Sequence, residues 1–126
     1  MAYLITWRTA SSRRLATACV LVDDFTISGG TLIDAAEQLV EKGAISVTAV
    51  VTHGVFAEGS MLRLDASPIG RLITTNTIET QPAAFSDRVR VVSVAPLFAE
   101  AIRRIHYRGS ISVLFRIDRG SAGGCP

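Results

Sequence analysis

The chain has 126 residues, 48% hydrophobic and 19% charged, with a formal net charge of +2. That length allows one modest core and argues against two domains, and the composition is that of a folded globular chain rather than a disordered one. The charge is too mild, and Lys and Arg too scattered, for a nucleic-acid groove.

The first nineteen residues, "MAYLITWRTASSRRLATAC", carry Arg8, Arg13 and Arg14 and no acid. Organelle transit peptides share this composition, but no clear amphipathic helix runs through the stretch, so an ordinary strand and loop are expected. No signal-peptide core is present, and no apolar run approaches the ~20 residues that a membrane-spanning helix needs. Cys19 and Cys125 are far apart and suggest neither a disulfide framework nor a metal pair. A soluble, cytoplasmic protein with reduced thiols and no membrane partner is expected.

"ACVLVD" at 18–23 is a short continuous apolar run, the pattern of a parallel strand buried on both faces. After Gly29 and Gly30, Leu32, Ala35, Ala36, Leu39 and Val40 recur at helical spacing, and Gly43 supplies the stop. "AISVTAVVTH" at 44–53 reads as the next strand, which completes a βαβ unit. Downstream, "GSMLRLDAS" is expected to form a short helix closed before Pro68, "GRLITTNTI" a strand over 70–78 and "RVRVVSVA" another over 88–95. A last helix begins near Pro96, with Phe98, Ala101, Ile102 and Ile105 on one face, a Glu100–Arg104 pair on its surface and Gly109 as terminator. "ISVLF" follows, and the Gly- and Ser-rich tail "RGSAGGCP" is expected to be disordered.

The chemistry concentrates in "VLVDDFTISGGTL", residues 20–32. In open α/β sheets ligands sit beyond the carboxyl ends of the strands, and the first βα loop offers backbone N–H groups and a positive helix end to an anion. Gly29 and Gly30 admit an oxyanion to the backbone, while Ser28 and Thr31 bring hydroxyls. No Lys follows the glycines, which rules out a Walker A loop, and the spacing fails the dinucleotide fingerprint. A phosphate monoester fits better than a nucleotide tail. Asp23 and Asp24 then repel the same anion unless they address another part of the ligand or share a divalent metal. A pentose phosphate resolves the conflict, its hydroxyls at Asp23 and Asp24 and its phosphate at Ser28 to Thr31. The alternative is a plain strand-to-helix turn capped by Asp24 or Ser28.

This segment resembles the phosphoribosyl-pyrophosphate (PRPP) motif of the type I phosphoribosyltransferase fold. "VTHGVF" at 51–56, "TTNTI" at 74–78, "VVSVAPLFAEAIRRIH" at 91–106 and "SISVLF" at 110–115 resemble, in the same order, the C-terminal part of the ribose-phosphate pyrophosphokinases, or PRPP synthetases. The resemblance covers about Val20 to Phe115. It implies an α/β fold, a single phosphoribosyltransferase-like domain over 20–115 with a parallel sheet flanked by helices, between an unassigned segment 1–19 and the tail 116–126.

It also implies transfer of the pyrophosphoryl group of ATP to the anomeric hydroxyl of ribose 5-phosphate, giving PRPP and AMP, with Mg²⁺ as cofactor. The family loop D-D-x-x-D-T-x-G-T stands here as D-D-F-T-I-S-G-G-T. By this likeness the ribose-5-phosphate site is Asp23, Asp24, Ile27, Ser28, Gly29, Gly30 and Thr31, with Asp23 and Asp24 also the metal ligands. Ile27 stands where the family carries its third acid. Ser112 and Phe115 fall in a segment that serves regulation in some members and is otherwise a terminal packing strand.

The family's ATP-binding half and basic catalytic loop have no counterpart in these 126 residues. The isolated chain is therefore expected to hold the sugar without carrying out the chemistry, ATP entering only with another domain or partner chain. The alternatives are a non-catalytic subunit of a full-length paralogue or homo-oligomer, and a transferase that consumes PRPP.

Outside the loop, His53 beside Gly54 is a candidate base or metal ligand, although a structural role is the simpler account. His106 with Arg103, Arg104 and Arg108 is read as a solvated basic turn that complements the helix dipole.

Overall fold

The computed structural model describes residues 3–9, 16–79 and 86–115. Arg13, Arg14 and the tail beyond Phe115, Cys125 included, lie outside them. The chain divides into two compact units, Met1–Ser93 and Val94–Pro126.

The first unit is a five-stranded sheet in the order β1 (Tyr3–Thr9), β2 (Ala16–Thr26), β3 (Ala44–Gly54), β4 (Ile69–Thr75) and β5 (Val89–Val92). β1 pairs antiparallel with β2, so the strand expected near the start of the chain forms one edge of the sheet. The other three pairings are parallel. Helix α1 (Gly30–Glu41) connects β2 to β3, and α2 (Ser60–Asp65) connects β3 to β4. The α/β architecture expected from the alternating pattern is therefore present. β4 stops at Thr75, short of Ile78, because Thr77 turns its own N–H onto the Thr75 hydroxyl (3.2 Å) instead of continuing the ladder.

One expectation fails in detail. The strands are not buried equally on both faces: Cys19, Leu21 and Asp23 are buried, while Ala18, Val20 and Val22, which alternate with them, are only half-buried. β3 alternates likewise, with Val47, Ala49 and Val51 buried and Thr48 and Val50 half-buried. The cause is topological. Each parallel strand is added next to its predecessor in the same direction, so right-handed crossovers place both helices on one face. Accordingly Leu32 and Ala36 of α1 and Leu64 of α2 share one core with Cys19, Leu21, Val47, Ala49, Val51, Ile69 and Leu72. Each fully buried aliphatic side chain there is worth roughly 1.5–3 kcal/mol relative to exposure. Cys19 is a buried free thiol. α1 ends where Gly43 takes φ +93°, the expected left-handed stop.

The second unit holds α3 (Ala95–His106), with Pro96 in its first turn, and a 3-10 turn over Ser112–Phe115. That turn replaces the packing strand considered for "ISVLF", and Ser112 and Phe115 are both exposed. α3 buries no residue: Leu97, Phe98, Ile102 and Ile105 are each more than half exposed. Its end differs from expectation, since Arg108, not Gly109, takes the left-handed conformation (φ +54°). The Arg108 N–H donates to Ile105 O (3.1 Å) and the Gly109 N–H to Arg104 O (2.7 Å), which is the Schellman closure with a side chain at the position glycine favours.

On the surface of α3, Glu100 accepts bonds from both Arg103 (2.8 Å) and Arg104 (2.6 Å). Those guanidinium hydrogen bonds hold its carboxyl at about 2, below the ordinary 4.5, and raise that of Arg103. Both arginines are thus engaged with Glu100 on the helix, and Arg104 also donates to Ser110 O (3.2 Å) just beyond it.

Candidate functional site

β2 runs to Thr26, and the next three residues turn the chain into α1. Gly29 is the residue before the helix and has φ +75°, a conformation that strains any L side chain. The turn holds itself: the Gly29 N–H donates to Thr26 Oγ1 (3.2 Å) and the Gly30 N–H to Ser28 Oγ (3.4 Å). No side chain caps the helix in the usual way. The cap considered for Asp24 is therefore not formed, and Ser28 serves the turn instead. Thr31 and Leu32 occupy the first turn of α1, where no preceding carbonyl is available to a helical N–H and the helix dipole presents its positive end.

The loop is also held from below. Past the end of the β2–β3 ladder, the Val55 N–H donates to Thr26 O (2.9 Å) and the Ala57 N–H to Ile27 O (2.8 Å). Phe56 between them adopts φ +49°, an uncommon conformation for a bulky side chain. Its ring lies against Gly54, where a Cβ would overlap it and stand 2.9 Å from Thr74 Oγ1. The β3–α2 loop thus acts as a strut that fixes where the β2–α1 loop sits.

Above this strut lies a concavity of about 210 Å³ lined by Asp23, Phe25, Thr26, Ile27, Ser28, Gly29, Gly30 and Thr31. It is smaller than the ~300–1,000 Å³ pockets that hold drug-sized ligands, and suits a compact polar molecule. Six of the seven residues expected at the site meet here. Asp24 does not. Successive residues of a strand point to opposite faces, so Asp23 is buried and lines the concavity, whereas Asp24 is exposed away from it. The Asp24 N–H donates to Asp23 Oδ1 (3.0 Å), which holds that carboxylate in place.

This geometry bears on a metal. Among the described residues no group of three or more His, Cys, Asp and Glu is placed to hold an ion. Asp23 and Asp24, on opposite faces, do not form a chelating pair. A Mg²⁺ held by one carboxylate together with ligand oxygens and water is compatible with Asp23, because that ion keeps much of its hydration.

Phe25 and Thr26 belong to the lining and were not singled out from sequence. Thr26 was legible in principle, since a Thr three residues before a glycine is placed to accept its N–H. Phe25, about half exposed, carried no polar signal. His53 lies opposite Phe25 in the β2–β3 register, and its Nδ1 meets Thr77 Oγ1 at 2.7 Å.

A family model described as the phosphoribosyl synthetase-associated domain matches residues 12–116. The chain belongs to this family. It is 48% identical over 97 residues to a ribose-phosphate pyrophosphokinase of Clostridium tetani, covering 77% of this chain and 30% of that protein. A ribose-phosphate pyrophosphokinase of Maricaulis maris is 48% identical over 98 residues, covering 77% and 32%. The crystal structure of phosphoribosylpyrophosphate synthetase from Mycobacterium smegmatis matches with a TM-score of 0.70 and 34% identity, over 75% of this chain and 32% of that one. The phosphoribosyl synthetase-associated chain therefore shares the fold of that synthetase and spans about a third of the length of these relatives. Among its described residues no helix is long and apolar enough to cross a membrane.

In this phosphoribosyl synthetase-associated domain the strut makes a specific demand at Gly54. Gly54→Ala forces apart the Phe56 ring and Thr74, and overpacking of this kind costs about 1–3 kcal/mol. A lower urea midpoint at unchanged slope is expected; a variant as stable as the parent contradicts the strut.

Proposed function

We propose that the concavity at the β2–α1 loop is a ribose-5-phosphate site of PRPP-synthetase type. The observation that carries the proposal is the meeting of one buried carboxylate, Asp23, with the hydroxyl- and amide-rich turn Ser28–Thr31 in one concavity. The phosphate takes the turn, where the Thr31 and Leu32 amides and the Ser28 and Thr31 hydroxyls offer donors and the dipole favours negative charge. The ribose takes Asp23, which accepts from its hydroxyls. Asp24, exposed on the opposite face of β2, reaches the sugar only from outside the concavity. Mg²⁺ joins through Asp23 and ligand oxygens, lessening the repulsion between that carboxylate and the phosphate.

Among the described residues the lining contains no Lys or Arg. With ribose 5-phosphate alone the site supplies binding and orientation. Conversion to PRPP, with AMP leaving, requires an ATP-binding chain and the cations that stabilise the transferring group. Ile27 brings an apolar side chain, about half exposed, into the lining where the resemblance places a carboxylate, so one negative charge fewer faces the phosphate.

Association with a longer chain of synthetase type is the companion proposal. The exposed apolar face of α3 supports it. Exposed apolar stripes of this kind mark interaction surfaces.

Titration calorimetry of the chain with ribose 5-phosphate and Mg²⁺ is expected to show one site, with Asp23→Ala together with Thr31→Ala abolishing the heat. Absence of heat from well-folded protein removes the sugar-phosphate proposal. Sedimentation with a full-length relative is expected to yield a mixed species; two independently sedimenting components remove the association proposal.

A further inference from the structure

The carboxyl ends of β3 and β4 carry a hydrogen-bond network that the phosphate turn does not use. Thr75 Oγ1 donates to Thr52 O (2.6 Å), and Thr77 Oγ1 donates to the same carbonyl at 3.1 Å. The two hydroxyls are 2.8 Å apart, and Thr77 Oγ1 is 2.7 Å from His53 Nδ1.

Counting protons decides the imidazole tautomer. These four contacts share two hydroxyl protons, because the Thr52 carbonyl contributes none. If Nδ1 lacked a proton, Thr77 would have to turn its only one toward the ring. Its approach to Thr52 O would then set lone pair against lone pair, and the single Thr75 proton could serve Thr52 O or Thr77 Oγ1 but not both. If Nδ1 carries the proton and donates to Thr77 Oγ1, both hydroxyl protons remain for the oxygen contacts. The network therefore selects the Nδ1–H form, and in the neutral ring Nε2 is left as an acceptor. The two ring nitrogens diverge, so the tie to Thr77 directs Nε2 away from that residue.

His53 stands opposite Phe25 of the lining, one strand spacing of roughly 4.8 Å from β2, and Gly54 after it starts the strut under the phosphate turn. We propose that His53, held as the Nδ1–H tautomer by Thr77, is a further ligand-binding residue whose Nε2 accepts a hydrogen bond from a sugar hydroxyl when the phosphate occupies the β2–α1 turn. This inference rests on the proposed function. It adds a hydroxyl-reading group on β3 that complements the acceptor Asp23 on β2.

Imidazole ¹⁵N NMR at a pH where the ring is neutral tests it. The wild-type spectrum is expected to show Nδ1 protonated and Nε2 bare, with the preference lost in Thr77→Val. Ribose 5-phosphate with Mg²⁺ is expected to shift both the Gly30 and Thr31 amides and Nε2, whereas inorganic phosphate shifts only the amides. His53→Phe should weaken ribose 5-phosphate by roughly two- to tenfold, the range of a single hydrogen bond, and leave phosphate unchanged.

A neutral ring protonated at Nε2 overturns the inference. So does a ring unaffected by ribose 5-phosphate while the amides move, and that outcome leaves the proposed function standing. If neither amides nor ring respond, both fall together.

Discussion

The backbone pairing of β2 with β3 does not end with the sheet. It continues as Val55 N–H to Thr26 O and Ala57 N–H to Ile27 O, and the placement of the phosphate turn depends on those two bonds. Without them the four residues between Thr26 and Thr31 are a loop whose closure rests on two hydroxyl contacts of 3.2 and 3.4 Å. With them, the turn is a rigid continuation of parallel strands. Holding Phe56 at positive φ is a local cost, offset by the burial of its ring over Gly54. The strut is built from residues remote in sequence from the turn it supports, as is common where a βα loop carries a site.

Electrostatics divides the site along the same lines. In the proposed site the anion end relies on amides, hydroxyls and the start of α1, because among the described residues no basic side chain lines the concavity. The proposed sugar end relies on Asp23, which strand alternation buries on the helix-covered face while turning Asp24 outward. Two adjacent carboxylates thus have separate surroundings: one is buried in the lining of the concavity, and the other is exposed to solvent, where charges are screened. Ile27 keeps further negative charge away from the anion end, in a place where repulsion has no basic neighbour to offset it.

Most of the architecture was legible because it follows from local patterns. The β2–α1–β3 unit follows from an apolar run, a Gly pair, a helical stripe and a second apolar run, and the resulting α/β fold is the one shared with the matched part of the Mycobacterium smegmatis synthetase. Three features were not legible, each for a physical reason. One-sided burial is a property of strand order: Val20 and Val22 look the same in sequence whether or not a helix covers them. The exclusion of Asp24 from the concavity needs the knowledge that β2 remains extended through Thr26, which two carboxylates and a Phe do not advertise. At the end of α3, Gly109 drew attention as the stop, yet the left-handed position fell on Arg108, since the Schellman closure counts residues from the last helical turn rather than by side-chain preference.

The central claim is that one concavity recognises the two ends of a sugar phosphate by different means. A crystal structure of the chain soaked with ribose 5-phosphate and Mg²⁺ tests it most directly. The account predicts phosphate oxygens within hydrogen-bond distance of the Ser28–Thr31 amides and hydroxyls, with a ribose hydroxyl on Asp23. Phosphate density elsewhere, for example on the basic turn after α3, with the β2–α1 concavity holding only water, contradicts it.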